Sequence, residues 1–258
     1  MSNSILQSAS LHNRGDRHPG FARLVAFELR KLVDTRSSRA IFAVLAVIAV
    51  ALVVGLAVVG IRLGHPVTFL SLAGSIGLFT ALAMPLIGIL GMTSDVAHRT
   101  TLVYYPLLRG RAGLFWAKVL AAAILALALQ LFVYLLSAVV AAALGGLGTP
   151  GPFDGAGQEF STGLATCLLS TMFGVALAAA IRRTALAITV VILLSLVGNG
   201  LILTLLPDAS GYLSTITAPA ALLGGPDAPS ALEVATSLTL WYVIPLGIGW
   251  WIAEKGEA

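Results

Sequence analysis

Six long apolar runs, almost free of Asp, Glu, Lys and Arg, restrict what this sequence can fold into. They cover approximately residues 40–61, 69–92, 119–144, 163–181, 184–206 and 232–252. An α-helix needs about 20 apolar residues to cross the roughly 30 Å hydrocarbon core of a bilayer, and each run is close to that length. The pattern therefore predicts an all-α polytopic membrane protein with six transmembrane helices.

Composition excludes the other main classes of protein. Of the 258 residues, 58% are hydrophobic and 10% are charged, and the mean hydropathy is +0.98. Soluble globular chains carry about 25% charged residues, and disordered chains lack this apolar content. A disulfide scaffold is excluded as well, because Cys167 is the only cysteine.

The basic residues are sorted by side. Fourteen of the 15 lie before span 1, between spans 2 and 3, between spans 4 and 5, or after span 6, and Arg62 is the exception. Because Lys and Arg concentrate in cytoplasmic loops, both termini are predicted to be cytoplasmic, with a mobile tail at 1–20 and a short tail at 253–258. The net charge of +4 then reflects sidedness and lipid contact, not nucleic-acid binding. We expect an uncleaved anchor in a bacterial cytoplasmic (inner) membrane.

Most catalytic and ion-coupled chemistry is missing from the sequence. The middles of the six runs lack Asp, Glu, Lys, Arg and His, which argues against the proton relays of secondary carriers. The four histidines have no metal-ligand spacing, and no nucleotide-binding or nucleophile motif is present. We therefore predict no catalytic residue, metal or cofactor in this chain.

An amphipathic helix is predicted over residues 21–39, lying along the cytoplasmic interface directly before span 1. At 100° per residue its apolar side chains cluster on one face and its basic side chains on another. Glu28 falls inside the apolar arc, which leaves two alternatives. The carboxylate snorkels or pairs with Lys31, three residues on, or it faces a protein partner instead of lipid.

The loop Thr93 to Lys118 is too long and too patterned for a simple connector, although an ordinary positive-inside loop with an aromatic belt is the alternative. Asp95 and Arg99 lie where span 2 leaves the membrane. Pro106 breaks any helix there, and Arg109 follows it.

These two segments resemble the permease subunits of type-2 ATP-binding-cassette exporters. The likeness rests on Glu28 to Leu32 followed by Thr35-Arg36-Ser37 before span 1, and on an ordered series after span 2. That series is Asp95, Thr101-Leu102, Pro106, Arg109 and Lys118. With the six-span layout and cytoplasmic termini, the resemblance covers nearly the whole chain.

The resemblance implies a connecting helix at 21–39 and a cytoplasmic coupling helix between spans 2 and 3, seated on a separate ATPase subunit. It assigns coupling to Glu28, Lys31, Asp95, Arg99, Thr101, Pro106 and Arg109. ATP and Mg would be bound by that ATPase. A second permease copy or paralogue would complete the transporter, with two ATPases.

The translocation path for the transported compound would run between spans 2 and 5 at the permease dimer interface. Ser195 and Asn199 are its candidate polar residues, although an interhelical hydrogen bond is the alternative role for Asn199. Pro85 and Pro245 are expected to bend their helices. Small residues are expected to permit close helix approach in span 2, namely Ser71, Gly74, Ser75 and Gly77.

The segment from Leu206 to Leu232 is rich in Pro and Gly yet largely apolar. It is either a simple external loop or, as the resemblance favours, short re-entrant helices before span 6 that close the outer gate, with Tyr212 and Leu213 pointing inward. The sequence thus favours the permease of an exporter for a hydrophobic or amphipathic compound. The alternative is a non-transporting membrane anchor or accessory subunit of a sensor or enzyme complex.

Overall fold

The computed structural model of the protein describes residues 20–98, 111–145, 151–224 and 228–255. Of these residues 89% are helical, and they contain no β-strand. The helices are α1 Phe21–Asp34, α2 Arg36–Leu63, α3 Phe69–Ser75, α4 Gly77–His98, α5 Arg111–Gly145, α6 Ala156–Ile181, α7 Thr184–Leu205, α8 Ser210–Leu213, α9 Thr217–Leu223 and α10 Ala231–Lys255.

Five of these helices, α2, α5, α6, α7 and α10, are long and apolar enough to cross a membrane. The short α3 and the following α4 reach the same length and hydropathy only as a pair, whose axes differ by 54°. The described chain thus has five such helices, or six if the bent pair counts as one. The predicted class, an all-α protein with several helices that could cross a membrane, is confirmed.

The 54° bend in this pair lies at the break around Ile76. Ile76 follows α3 and interrupts the helix between Ser75 and Gly77. Pro85 lies inside α4, and the helix continues on both sides of it. Glycines beside the break, at 74 and 77, favour an interruption there because glycine has low helix propensity.

The amphipathic helix predicted over 21–39 ends at Asp34, so its last five residues were assigned wrongly. Thr35 has extended backbone, and its hydroxyl oxygen accepts a hydrogen bond from the amide of Ser38 at 3.4 Å. This is the geometry of a helix N-cap. Arg36 therefore begins the first long helix, and α1 is a separate element.

Glycines in the second half of α4 let neighbouring helices approach closely. A Cβ atom at Gly88 would lie 2.8 Å from the amide nitrogen of Val175 in α6, and one at Gly91 would lie 2.9 Å from the Cβ of Ala122 in α5. At Gly74 and Gly77 an added Cβ would meet nothing within 4 Å. The close approach predicted near the start of span 2 thus occurs near its end instead.

Alternation of the long helices gives the bundle two ends of opposite charge. We call one the basic end; it carries α1, Lys118, Arg182, Arg183 and Lys255. The other, the acidic end, carries Asp154, Glu159, Asp208 and Glu233 together with Arg62. A backbone hydrogen bond of 2.8 Å from Phe69 N to the carbonyl of Pro152 joins two segments at the acidic end. The charge pattern behind the predicted orientation is therefore kept in three dimensions.

Candidate functional site

Glu28 lies on the buried face of α1 with Val25 and Leu32, and only 1% of its surface is exposed. Its Oε2 atom is 3.6 Å from Nζ of Lys31. This is the pairing with Lys31 that was the first of the two alternatives. The burial comes from the chain itself, because α1 packs against α5. The packing of α1 on α5 therefore keeps the carboxylate away from hydrocarbon, while its Oε2 atom makes no hydrogen bond within the described residues.

Lys118 brings a second ammonium group to the same contact. It lies near the start of α5 and is 8% exposed. Burial lowers the pKa of Lys31 below its usual value of 10.5; the carboxylate of Glu28 opposes this shift and the charge of Lys118 adds to it. On the same side of α1, Leu24 lies 3.8 Å from the position of a Cβ at Gly113. The helix α1 is thus attached to the beginning of α5 by apolar and charged contacts together.

Replacing Glu28 with alanine is expected to loosen α1 from α5, because two neighbouring ammonium groups would lose their nearby carboxylate. We expect a cost of about 2 kcal/mol, less than the roughly 3–5 kcal/mol of a fully buried pair, since Lys31 stays partly exposed. Faster amide hydrogen exchange over α1 than in the unmodified protein would report this loosening.

Asp34→Ala is the matched control on the same helix. Asp34 pairs with Arg30 at 3.5 Å, but both side chains are more than 60% exposed, at 66% and 84% respectively. Exposed pairs of this kind contribute about 0–1 kcal/mol. Equal exchange rates in the two variants would contradict a structural role for the Glu28 carboxylate.

Arg99, Thr101, Pro106 and Arg109, with the coupling helix predicted around them, lie outside the described residues. Asp95 lies in α4, which continues to His98, but its side chain also falls outside the described part. The structure does describe both flanks of this loop, which are the C-terminal turns of α4 and the start of α5.

A polar contact joins the end of α4 to the start of α7 at the basic end. The hydroxyl of Thr184 donates to Oγ1 of Thr93 at 2.9 Å, and Thr93 donates to the carbonyl of Ile89 at 2.8 Å. Thr184 begins α7 immediately after the two-residue turn Arg182-Arg183. A displacement of the C-terminal turns of α4 would therefore act directly on the start of α7.

A cavity of about 140 Å³ lies near the middle of the bundle, and we call it the central cavity. Helices α4, α6, α7 and α10 line it, together with the segment that follows α8. None of its lining residues carries a charge. Its polar wall comprises Thr166, Ser170, Ser195, Asn199 and Thr215, and its apolar wall includes Pro85, Phe173, Pro219 and Tyr242. Ser195 and Asn199, both proposed from the sequence for the path, thus line one cavity.

Two π-helical turns border the central cavity. The first covers Leu194–Gly198 in α7, where the amide of Asn199 donates to the carbonyl of Leu194 and not to that of Ser195. The second covers Thr239–Val243 in α10 and contains Tyr242. Such turns widen a helix by one residue and are frequent at functional sites. Here they determine which side chains of α7 and α10 reach the cavity.

Asn199 binds the turn that joins α8 to α9. Its Oδ1 accepts hydrogen bonds from the hydroxyl of Ser214 at 2.9 Å and from the amide of Thr215 at 3.0 Å. Its Nδ2 donates to Oγ1 of Thr215 at 2.9 Å. These bonds differ from the interhelical hydrogen bond that was one of the two roles considered for this residue, because Ser214 and Thr215 lie in a turn and not in a helix.

The segment 207–223 folds back against the bundle as two short helices, not as a simple loop, and we call it the folded-back segment. It is held from α10 as well as from α7. Ser237 donates to the carbonyl of Ser214 and the indole of Trp241 donates to the carbonyl of Leu213, each at 2.8 Å. The helix α9 packs on α6. Both neighbouring long helices therefore fix the position of the turn.

A larger cavity of about 460 Å³ lies on the other side of this turn, at the acidic end, and we call it the vestibule. Asp208 and Glu233 line it along with several hydroxyl groups. Asn199 and Ile216 line both the vestibule and the central cavity. The turn between α8 and α9 is therefore the partition between the two volumes.

Tyr212 was expected to point inward, but the structure places it outward. It is 37% exposed and lines neither cavity. The physical reason is the brevity of α8, a single turn whose Ser210 and Gly211 face the vestibule. The next side chain, about 100° around the helix, then points elsewhere.

Sequence reasoning missed several residues of this site. Thr166 and Ser170 carried a usable signal, since two hydroxyl residues four apart share one face of a helix. Ser214 and Thr215 carried no such signal, because their role depends on the contact with Asn199.

Comparison of the chain with family models, with curated proteins and with solved structures gives no match.

Proposed function

We propose that this chain is the membrane subunit of an ATP-driven exporter of hydrophobic or amphipathic compounds. One observation carries the proposal. An uncharged cavity lies in the middle of the long helices, and a turn held by hydrogen bonds separates it from an open vestibule. A membrane anchor has no evident use for such an arrangement, whereas a gated path requires one.

The turn Ser214 to Ile216 acts as the gate in this proposal. Moving it away from Asn199 would join the central cavity to the vestibule, since both are lined by Asn199 and Ile216. Gates of this kind must open at moderate free-energy cost. Individual hydrogen bonds between membrane helices are worth about 0.6 to 2 kcal/mol, so a few of them hold the turn reversibly.

Energy would enter at the basic end, which is cytoplasmic in this proposal. A separate ATPase subunit that binds ATP and Mg would press on the loop between α4 and α5, and α1 would brace the start of α5. The contact between Thr93 and Thr184 supports transmission from α4 to α7. Both helices reach the central cavity, through Pro85 and through Ser195 with Asn199.

A second permease copy or paralogue would pack along α7. This helix is the least buried of the five long ones, and it exposes large apolar side chains on the side away from the bundle. The central cavity lies beside it. A pair of chains would then enclose two cavities between them, within a bacterial inner membrane and with both termini in the cytoplasm.

Co-purification tests this proposal directly. We expect a P-loop ATPase to accompany the tagged chain, purified from its native host in mild detergent after crosslinking, in a stoichiometric amount by mass spectrometry. Arg109→Ala is expected to reduce the recovered ATPase about tenfold, as the loss of a charge-assisted contact of about 1.4 kcal/mol would. The reconstituted complex should hydrolyse ATP.

Arg62→Ala is the matched control, because Arg62 is the basic residue at the acidic end, away from the proposed ATPase contact. It should leave ATPase recovery unchanged. A crosslinked preparation that contains no ATPase would contradict the exporter proposal. It would favour the anchor or accessory subunit, whose partner the same spectra would then identify.

A further inference from the structure

Three hydroxyl groups in the central cavity, those of Thr166, Ser170 and Ser195, differ from most other hydroxyls of the long helices; Ser137, buried in α5 away from this cavity, is another without a hydrogen bond among the described residues. Thr171, Thr189 and Thr204 each donate to the backbone carbonyl four residues earlier, at 2.8–3.0 Å. This is the usual way for a hydroxyl in an apolar helix to be satisfied. Thr166, Ser170 and Ser195 make no hydrogen bond within the described part of the chain.

These three side chains face one space. Thr166 and Ser170 are four residues apart and therefore lie on one face of α6, while Ser195 reaches the cavity from α7. All three are half-buried, so their hydroxyls are open to the cavity. An unpaired hydroxyl in an apolar surrounding is unfavourable, so a molecule that bonds to these groups would be stabilised.

The α4 side of the cavity offers an acceptor. Pro85 has no N–H, so the carbonyl of Ala81 cannot receive the helical bond that residue 85 would normally donate. Ala81 and Pro85 both line the central cavity. Donors on α6 and α7 thus line the same cavity as an acceptor on α4, while Phe173 and Tyr242 supply apolar surface.

We propose that Thr166, Ser170 and Ser195 form a hydrogen-bonding subsite that selects amphipathic molecules with an uncharged polar group, such as a hydroxyl, on an apolar body. The proposal rests on the proposed export function and names its substrate class. A charged group is disfavoured, because no lining residue carries an opposite charge. The volume of about 140 Å³ is well below the roughly 300 Å³ of small-molecule sites, so one chain holds the polar part and not the whole molecule.

A pair of probes that differ by one hydroxyl tests this subsite. In the purified chain in nanodiscs, the binding of 1-pyrenebutanol and of 1-butylpyrene is measured by energy transfer from tryptophan. We expect the alcohol to bind about 10-fold more tightly than the hydrocarbon. Ser170→Ala and Thr166→Val should each reduce this preference about 3-fold, and the double variant should nearly abolish it.

Two variants control for structural effects. Thr189→Val removes a hydroxyl of α7 that bonds to its own helix and is exposed, so the preference for the alcohol should not change. Ser170→Thr keeps a hydroxyl at the subsite and should retain most of the preference. Its loss in Ser170→Ala together with recovery in Ser170→Thr would support the subsite.

Equal binding of the two probes, no specific binding of either, or an undiminished preference in the double variant would overturn the proposal. The measurement uses this chain without an ATPase. Failure of the export function, seen as the absence of a co-purified ATPase, is therefore distinguishable from failure of the subsite.

Discussion

Replacing Gly174 with alanine is expected to separate α4 from α6 and to destabilise the protein more than any other single methyl group added to the bundle. A Cβ atom at Gly174 would overlap the carbonyl oxygen of Pro85 and lie 2.6 Å from its Cα atom. Both are backbone atoms of a helix, so no side-chain rotation can relieve the clash. We expect a loss of about 3 kcal/mol, at the upper end of overpacking effects.

The measurement is unfolding of the purified chain in detergent, by heat or by a graded denaturing detergent. Gly55→Ala is the matched control, because Gly55 also lies within a long apolar helix but its added Cβ would meet nothing within 4 Å. Alanine there should be neutral or stabilising by up to about 1 kcal/mol, through helix propensity. Equal midpoints for the two variants would contradict the backbone contact.

The same clash should also change the central cavity, because Pro85 forms part of its wall. Gly88 makes the reciprocal contact from α4, against the backbone of Val175 at 2.8 Å. Substitutions at Gly88 and Gly174 should therefore combine to less than the sum of their separate losses, since either one already separates the helices.

The helical class could be predicted from hydropathy, but the helix ends could not. A search for charge-free runs finds the part of a helix that suits hydrocarbon, and α5 begins at Arg111 although its apolar run begins near 119. The charged residues Arg111 and Lys118 lie on this same continuous helix. Conversely, a break that hydropathy does not reveal separates α1 from α2 at Thr35, whose side chain caps α2.

Periodicity located Glu28 correctly on the buried face of α1 but left its partner open. Periodicity gives the direction of a side chain around its own helix and does not give the element packed against it. The burial of the carboxylate beside Lys31 depends on the packing of α1 against α5. That contact joins α1 to the start of α5, which are far apart in the sequence and lie on either side of the loop that the resemblance assigns to coupling.

The central cavity could be predicted only in part. Ser195 and Asn199 stood out as polar residues in an apolar run, whereas the turn they approach has no helical period that would place it. The π-helical turn at Leu194–Gly198 also has no sequence signal, because it reflects how α7 fits its neighbours. The partition between cavity and vestibule is thus a property of tertiary contacts.

The second large effect is expected at Asn199. Asn199→Leu removes the acceptor of Ser214 and Thr215 and the donor to Thr215, so the partly buried amide of residue 215 loses its partner. A net loss of about 2 kcal/mol for the closed turn would raise the open fraction about 30-fold. Transport should fall, because the proposed gate no longer closes, while the long helices keep their packing.

Cysteine labelling measures this opening. Cys167 is the only cysteine and is fully buried, so Cys167→Ala gives a background in which Thr217→Cys is the sole thiol. Although Thr217 borders the open vestibule, only 4% of it is exposed while the neighbouring turn is closed. A maleimide that does not cross membranes should therefore react slowly in this background, and about 30-fold faster when Asn199→Leu is added.

Thr204→Val is the control for this measurement, since it removes a polar group of α7 that is exposed and bonds only to its own helix. Labelling in that variant should match the background. If Asn199→Leu leaves both the labelling rate and transport unchanged, the hydrogen bonds of Asn199 do not hold a gate. The turn would then be fixed by Ser237 and Trp241 from α10, and opening would have to begin with movement of that helix.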